Sequence, residues 1–308
     1  MKTFIAIGLA AFLLVAAGTA AADTIKVPKD HDTIADALKN ASAGDTILVK
    51  EGKYVENLTI STDEIKLIAR GRVVLDGDDG DPVIEVTADD VSIRGFIIQN
   101  SDEAGIYASG CDHLTVKACV IREVDGDGIE LVGSEHVLVT RCIIKDVGGD
   151  GVNAGADDSW IKSNILKTVD GDGIVVDGDD NRVRGNTIRY ADGDGIVLTA
   201  GGTYNSVSRN IVKDVVGDGI VLGATKSSVG ANKVVRAGDD GIVVSAGDNV
   251  VKANLVKLSG DDGFQMDAGG NKVKKNVAKK NDGDDLSVSI DPDTNVYRDN
   301  SFDPEEDD

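Results

Sequence analysis

The sequence predicts an all-β fold, a parallel β-helix solenoid with three short strands in each coil of 22–24 residues and a capping helix at its N-terminal end. The first observation is a repeat, because an Asp–Gly turn precedes a short apolar run in VDGDGIELVG at residue 124, VDGDGIVVDG at 169 and ADGDGIVLTA at 191. The second is the period, since the first apolar residue after each turn recurs every 22–24 residues. These apolar residues are Ile106, Ile129, Val152, Ile174, Ile196, Ile220, Ile242, Phe264 and Leu286.

The first 22 residues have the order of a secretory signal peptide. A lysine precedes the apolar run FIAIGLAAFLLVAAG, and three alanines before Asp23 resemble a cleavage site. We therefore expect an exported protein, periplasmic or secreted. Because no later segment approaches the roughly 20 apolar residues of a spanning helix, we expect no membrane span.

Residues 23–83 are predicted to form the N-terminal cap and the first coils. Asp32 and Thr33 form a plausible helix cap, and Ile34, Leu38 and Ala41 follow on one side of a short amphipathic stretch. A helix here would close the end of the solenoid, where strand edges and core would otherwise be exposed.

Residues 84–300 are predicted to form the regular coils, each with three strands. In one unit the strands are GIVV at 173–176, NRVRG at 181–185 and NTIRY at 186–190, and in each of them apolar residues alternate. Stacked coils, about 4.8 Å apart, would bring like residues together into core columns. The first-strand column is Leu131, Val176, Leu198, Leu222, Val244 and Met266, and the third-strand column is Ile121, Ile144, Leu166, Ile188, Val212, Val234 and Val256.

A polar column is predicted just before the third strand. Stacked side-chain amides donate and accept along the solenoid axis, so a buried asparagine ladder is a structural feature. Cys119 and Cys142 occupy this position on adjacent coils, as buried thiols or as a disulfide. The column is Phe96, Cys119, Cys142, Asn164, Asn186, Asn210, Asn232, Asn254, Asn276 and Asn300. Residues 301–308, SFDPEEDD, are predicted to be an acidic tail that does not pack.

The run TIADALKNASAGDTILVKEGKYVENLTI, together with the GIxL and VxxN pattern of the units, resembles right-handed parallel β-helix proteins of the pectin lyase-like superfamily, including pectin methylesterases and NosD-like periplasmic proteins. The resemblance covers nearly the whole chain after the signal peptide and implies a right-handed solenoid. It does not select an activity, because the superfamily contains lyases, hydrolases, esterases, epimerases and binding proteins.

Motif comparison leaves the catalytic residues unknown. The GxxDFIFG, DPHD, NTD and GHG segments of superfamily enzymes are absent from the sequence. A lyase would need a basic residue on the outward side of the first strands, and that side carries none. Its residues are Tyr107, Glu130, Asn153, Val175, Val197, Val221, Val243, Gln265 and Ser287.

An acidic column is the most regular chemical feature. An aspartate stands two residues before each aligned apolar residue, and we predict calcium at this column, since calcium takes six to eight oxygen ligands. The alternative is structural: the aspartates are turn residues that bond nearby backbone N–H groups, and a basic column about five residues earlier neutralises them. This basic column is Arg122, Lys145, Lys167, Arg189, Lys213, Arg236, Lys257 and Lys279. The acidic column is Asp127, Asp150, Asp172, Asp194, Asp218, Asp240, Asp262 and Asp284.

The net charge of −22 argues against nucleic acid as a partner, because nucleic acids are bound through clustered Lys and Arg. We expect an exported, non-catalytic module that binds a polysaccharide or a surface protein, with calcium as its possible cofactor. The alternative is a divergent polysaccharide-active enzyme of the polyuronate lyase, hydrolase or esterase type.

Three smaller features complete the predictions. The outward valines Val175, Val197, Val221 and Val243 form an apolar stripe for a flat partner or a second copy, unless they reflect β-propensity alone. His113 and His136 fall at equivalent positions of adjacent coils, as solvated turn residues or as part of a metal cluster. Trp160 is expected to point outward from a second strand.

Overall fold

The computed structural model describes residues 22–77, 80–291 and 294–302. Within these residues the strands pair in parallel to form two sheets, a smaller one of 11 strands and a larger one of 23. The first strand of each coil lies in the smaller sheet, and the second and third strands lie in the larger one. The predicted parallel solenoid is confirmed. Across the same residues, no helix is long and apolar enough to cross a membrane.

The elements are short because turns interrupt the chain every few residues. In chain order they are β1 Thr24–Val27, α1 Ile34–Asn40, β2 Thr46–Val55, β3 Leu58–Ile60, β4 Lys66–Asp76, β5 Ile84–Val86, β6 Ser92–Arg94, β7 Ile97–Ser101, β8 Ile106–Ser109, β9 Thr115–Lys117, β10 Val120–Val124, β11 Ile129–Glu135, β12 Leu138–Thr140, β13 Ile143–Val147, β14 Val152–Asp157, β15 Trp160–Lys162, β16 Ile165–Val169, β17 Ile174–Val176, β18 Arg182–Arg184, β19 Thr187–Ala191, β20 Ile196–Leu198, β21 Ser206–Ser208, β22 Ile211–Val215, β23 Ile220–Leu222, β24 Ser228–Gly230, β25 Lys233–Ala237, β26 Ile242–Val244, β27 Val250–Lys252, β28 Leu255–Lys257, β29 Phe264–Met266, β30 Lys272–Lys274, β31 Val277–Lys279, β32 Ser287–Val288, β33 Val296–Arg298 and β34 Ser301–Phe302.

The register of the sheets stacks like residues on like residues. In β17 and β20, for example, Ile174 pairs with Ile196 and Val176 with Leu198. Both predicted core columns are buried inside the solenoid, as the alternating pattern requires. A core built from one repeated unit explains why the sequence predicts this fold so directly.

Helix α1 covers the N-terminal end of the solenoid, as predicted. Thr33 caps it by accepting the backbone N–H of Asp36 through its hydroxyl, and the carboxylate of Glu56 accepts the N–H groups of the first turn. The helix buries Ile34 and Leu38 against the first strands. The first coil therefore lies under an apolar surface instead of in water.

The C-terminal coil extends two residues beyond the predicted boundary. Strand β34 pairs with β31, and Phe302 packs against the core at 5.7 Å from the ring of Phe264. Phe302 is the apolar residue of the segment predicted to be an unpacked tail. The rest of that tail, residues 303–308, and the predicted signal peptide at 1–21 lie outside the described residues.

The asparagine ladder forms as predicted. The hydrogen bonds repeat from coil to coil, as Asn186 illustrates. Its backbone N–H and its side-chain N–H both donate to Oδ1 of Asn210, at 2.9 and 3.1 Å. The side-chain amide of Asn186 also donates to the carbonyl of Ile161. Cys142 tops the ladder by donating its backbone N–H to Asn164. Cys119 and Cys142 are buried free thiols. Every buried amide in this column is thus satisfied.

A second ladder, which the sequence analysis missed, lies before the second strands. The backbone N–H of each member donates to the side-chain oxygen of the next, as from Asn181 to Asn205 at 2.8 Å. The signal was present as asparagine at the repeat spacing, with serine at two of the positions. The members are Ser159, Asn181, Asn205, Ser227, Asn249, Asn271 and Asn295.

Candidate functional site

The acidic column forms a continuous ladder in the turns that lead into the smaller sheet. Oδ1 of each aspartate accepts the backbone N–H of the next one, from Asp127 to Asp284, at 2.6 to 2.8 Å. Each carboxylate thereby satisfies a turn donor that strand pairing leaves free. The column therefore has a structural role in addition to any ligand role.

The repeated motif follows from this ladder. A Cβ on Gly193 would lie 2.2 Å from Oδ1 of Asp172, so this position has no room for a side chain in the coils that carry glycine there, whereas Asp239 and Asp261 occupy it before Asp240 and Asp262. A Cβ on Gly195 would lie 2.3 Å from a methyl of Val212 in the core. Both glycines of Asp–Gly–Asp–Gly are thus required by close packing between coils.

Four of the ladder carboxylates are difficult to ionise. Burial in the turn, and then the charges of neighbouring aspartates, raise the pKa of Asp150, Asp218 and Asp240 to about 6. Burial also raises the pKa of Asp194. Charging the column at neutral pH thus opposes folding, which makes the source of compensation important.

The basic column does not supply that compensation through ion pairs. Its described contacts are with acids of the third strands, as in Lys145 with Asp146 at 2.6 Å and Lys213 with Asp214 at 3.4 Å. Arg236 also bonds to Asp214. Among the described residues, no ion pair joins the basic column to the acidic column. The described residues therefore show no salt-bridge ladder between the two columns, and four members of the basic column, Arg122, Lys145, Lys213 and Arg236, pair with other acids.

Three carboxylates converge at one point of the acidic column. Oxygens of Asp240, Asp261 and Asp262 all lie within 4.8 Å of one another. Asp240 and Asp262 belong to the ladder, whereas Asp261 is exposed. Calcium at the eight predicted aspartates stays a prediction, and in the described part of the column this is the group that brings three carboxylates within that distance.

The outward side of the smaller sheet, called here the groove face, carries one side chain per coil in strict register. Glu85 pairs with Tyr107, Tyr107 with Glu130 and Glu130 with Asn153. Two grooves lie on this face and share Glu130 as a lining residue. The N-terminal groove has a volume of about 360 Å³, and the central groove, which reaches Asp177, has about 540 Å³.

Acidic and hydroxyl side chains line the N-terminal groove. Burial raises the pKa of Glu130, and the charges of Asp127 and Glu103 add to the effect. Glu85 accepts a hydrogen bond of 3.4 Å from the hydroxyl of Thr59. Within the described part of the chain, neither groove is lined by a lysine or arginine.

Local departures from the repeat build the central groove. Strands β11 and β14 are longer than the first strands that follow, and their register shifts between Val132 and Ser134 around a left-handed Gly133. Such a bulge bends the strand away from the sheet. The signal in the sequence was the 23-residue interval of the β11 coil, from Ile129 to Val152, against 22 in the next two.

The valine stripe continues the groove face toward the C-terminus. Val175, Val197, Val221 and Val243 pair in register and are each partly exposed. Its proposed role in self-association stays a prediction. Trp160 points outward as expected, with the Lys162 ammonium 4.8 Å from its ring centroid.

A separate cluster contains both histidines of adjacent coils. The imidazoles of His113 and His136 stack with centroids 4.7 Å apart and planes 9° from parallel. Their Nδ1 atoms lie 3.0 and 2.7 Å from the same oxygen of Asp112. The bond to Asp112 raises the pKa of His136 and lowers that of Asp112.

Comparison with known proteins agrees with the solenoid. Residues 82–234 match the family model for a right handed beta helix region. No curated protein gives a significant match to the sequence.

Solved structures show the same fold at low identity. An alginate lyase from Paenibacillus sp. is 17% identical with a TM-score of 0.60, over 90% of this chain and 98% of its own. An α-1,3-glucanase from Streptomyces thermodiastaticus is 16% identical with a TM-score of 0.68, over 93% and 69%. The A-module of a mannuronan C-5 epimerase from Azotobacter vinelandii is 14% identical with a TM-score of 0.61, over 87% and 88%.

Proposed function

The chain is a right-handed β-helix repeat protein with the pectin lyase-like fold, and on that premise we propose that it is an exported module that binds a polysaccharide along its groove face without cleaving it. The observation that carries the proposal is the pair of grooves joined at Glu130. A ligand that spans both grooves must be extended across successive coils. The solved structures of similar fold include proteins named for alginate, α-1,3-glucan and mannuronan.

Charge selects the kind of polysaccharide. The N-terminal groove carries Asp81, Glu85, Glu103 and Glu130 and no cation to offset them among its described lining residues. A polyuronate would bring like charges into this groove, which is unfavourable. We therefore favour a neutral polysaccharide as the ligand, with binding of a polyuronate only where calcium bridges the two sets of carboxylates.

The valine stripe also supports polysaccharide binding along the groove face. Carbohydrate rings have apolar faces, and a partly exposed row of Val175, Val197, Val221 and Val243 beyond the central groove gives those faces a surface to contact. A polymer longer than the grooves would thus gain additional contacts in the C-terminal direction.

Glycoside hydrolysis is the second candidate function, and one observation favours it. The pKa of Glu130 is raised, as that of a general acid is. Glu85 lies two coils away, roughly 9.6 Å along the axis, which is near the separation of the two carboxyl groups in inverting glycosidases. In that mechanism Glu130 would protonate the leaving oxygen and Glu85 would activate a water molecule.

A panel of neutral glucans and polyuronates, titrated by calorimetry with and without calcium, tests the proposal. We expect binding of a neutral polymer without calcium, weakened about tenfold by replacing Val197 and Val221 with lysine. Glu64→Gln is the control, since Glu64 is exposed and lines neither groove.

Product assays on the same panel separate the two functions. New reducing ends that disappear in Glu130→Gln would establish hydrolysis and overturn the non-catalytic proposal. Unsaturated products would indicate a lyase. Failure of every polymer to bind would refute the polysaccharide module altogether.

A further inference from the structure

We propose that Asp112, His113 and His136 form a binding site for a divalent transition-metal cation of the Zn²⁺ class. The three ligand atoms, one carboxylate oxygen and two Nδ1 nitrogens, lie within 4.8 Å of one another. Neutral imidazole and carboxylate are the ligands that zinc, copper and nickel prefer over calcium. The inference does not depend on the polysaccharide proposal.

The stacking of the coils places the two histidines one above the other. His113 and His136 are left-handed residues with φ of 58° and 52°, at equivalent positions of adjacent turns. Their backbone N–H groups donate to the carbonyls of Glu135 and Asp157, each at 3.1 Å. One coil repeat therefore sets the two rings 4.7 Å apart and parallel.

The shared carboxylate is also fixed by the coil below. The backbone N–H of Asp112 donates to Oδ1 of Asp89 at 2.8 Å. Its own Oδ1 then lies 2.7 Å from Nδ1 of His136 and 3.0 Å from Nδ1 of His113. Two imidazole nitrogens thus converge on a single oxygen before any cation is present.

Accepting a cation requires the side chains to move apart and the rings to turn. Bonds of about 2.0–2.2 Å in a tetrahedral site separate ligand atoms by about 3.4 Å, whereas the two Nδ1–Oδ1 separations are 3.0 and 2.7 Å. The stacked rings must also rotate so that both Nδ1 lone pairs are directed at one cation, and the side chains, between 44% and 57% exposed, have room to do so. Solvent exposure also leaves the remaining ligand position to water.

The chain contains a matched pair that lacks one ligand. Nδ1 of His31 lies 2.6 Å from a carboxylate oxygen of Asp36, so this pair repeats the histidine–aspartate contact with one imidazole instead of two. If a histidine–aspartate contact alone sufficed to bind the cation, both places would bind it equally. Comparing cation binding at the His31–Asp36 pair and at the Asp112 cluster therefore measures what the second imidazole contributes.

The cation would lie beside the central groove. Glu135 lines that groove and forms a parallel bridge with Asp112. A metal at this site therefore adds positive charge at the rim of an otherwise acidic surface.

Calorimetric titration of the full chain, without a polyhistidine tag and after chelator treatment, tests the site with Zn²⁺ alone. We expect one Zn²⁺ per chain, an affinity at least tenfold lower in His113→Asn and in His136→Asn, and no change in His31→Asn. Asparagine is chosen because it tolerates the left-handed conformation, and unchanged circular dichroism melting would confirm that the variants fold.

Several results would overturn the proposal. These are absence of Zn²⁺ binding, equal affinity in His136→Asn and the wild-type chain, or an equal loss in His31→Asn. Excess Ca²⁺ is expected not to displace Zn²⁺, and displacement would place the cation on carboxylates instead. Electron paramagnetic resonance of the Cu²⁺ form supplies a second measurement, in which coupling to two nitrogens is expected and coupling to none would refute the site.

Discussion

Oδ1 of Asp172 accepts a hydrogen bond of 2.6 Å from the backbone N–H of Asp194, one coil further along the solenoid. The same bond recurs from Asp127 to Asp284. A column of carboxylates at this spacing repels itself, yet each member satisfies a backbone donor that would otherwise be unpaired. Along the acidic column the hydrogen bonds therefore stabilise the folded chain while the carboxylate charges destabilise it, and the balance of the two effects can be measured.

The first prediction concerns pH. Because the folded-state pKa of Asp150, Asp218 and Asp240 is about 6 and the unfolded value is near 3.9, the folded chain holds more protons between these values. The stabilisation from these groups is complete below about pH 4 and is lost as the pH rises through 6. We expect thermal melting in EDTA to show a higher midpoint at pH 5 than at pH 7.

The variant Asp240→Asn tests the effect of charge at one aspartate of the acidic column. Asparagine keeps the Oδ1 that accepts the N–H of Asp262 but removes the charge. We expect it to stabilise the chain at pH 7 by about 1 kcal/mol, after allowance for solvent screening, and to have no effect near pH 4. A lower midpoint at pH 7 would show that the charge strengthens the ladder bond more than it costs in repulsion and burial.

A second prediction concerns Gly193, the glycine before the ladder aspartate Asp194. Gly193→Ala would place a Cβ against Oδ1 of Asp172, and we expect a loss of about 2–4 kcal/mol in urea unfolding. Gly185→Ala is the control, because the added Cβ meets nothing within 4 Å. Its expected loss of stability is about 1 kcal/mol and comes only from the left-handed φ of 65°. Equal losses in the two variants would mean that the close approach is relieved at little cost.

The coils could be predicted from the sequence because each structural requirement repeats. Ile174 and Val176 are buried for the same reason as Ile196 and Leu198, so one unit of the pattern confirms the next. The asparagine ladder was found in the same way. The turn role of aspartate was recognised, but its bond to the next coil was not, since it depends on which turn donors strand pairing leaves free.

The groove face was only half predictable. The outward residues Tyr107, Glu130 and Asn153 followed from alternation, whereas the contribution of Glu103 and the bulge at Gly133 depend on local departures from the repeat. Likewise the spacing placed His113 and His136 on adjacent coils, but their convergence on one oxygen of Asp112 depends on side-chain orientation.

A third prediction tests the asparagine ladder. Asn210→Ala would leave the backbone N–H of Asn186 and the carbonyl of Val183 without their side-chain partner inside the solenoid. We expect a loss of about 2–4 kcal/mol in the free energy of unfolding, measured by urea denaturation. Asn153→Ala, on the partly exposed groove face, should change stability by less than about 0.5 kcal/mol. A loss at Asn210 no larger than at Asn153 would contradict the ladder's role.

The fourth prediction is calcium binding at the acidic column. If calcium binds where Asp240, Asp261 and Asp262 converge, it neutralises carboxylates that are costly to charge, and it stabilises the folded chain by mass action. We expect the melting midpoint at pH 7 to rise between EDTA and millimolar calcium.

Asp261 is the residue that separates this cation effect from the ladder. It lies in the cluster but outside the ladder, so Asp261→Asn should abolish the calcium-dependent rise while leaving the midpoint in EDTA nearly unchanged. Asp180→Asn is the matched control, since it removes one charge from a partly exposed left-handed turn residue and should retain the full rise. A midpoint that is the same in EDTA and in calcium would remove the metal hypothesis, and the backbone bonds would then be the main compensation for the charge of the acidic column.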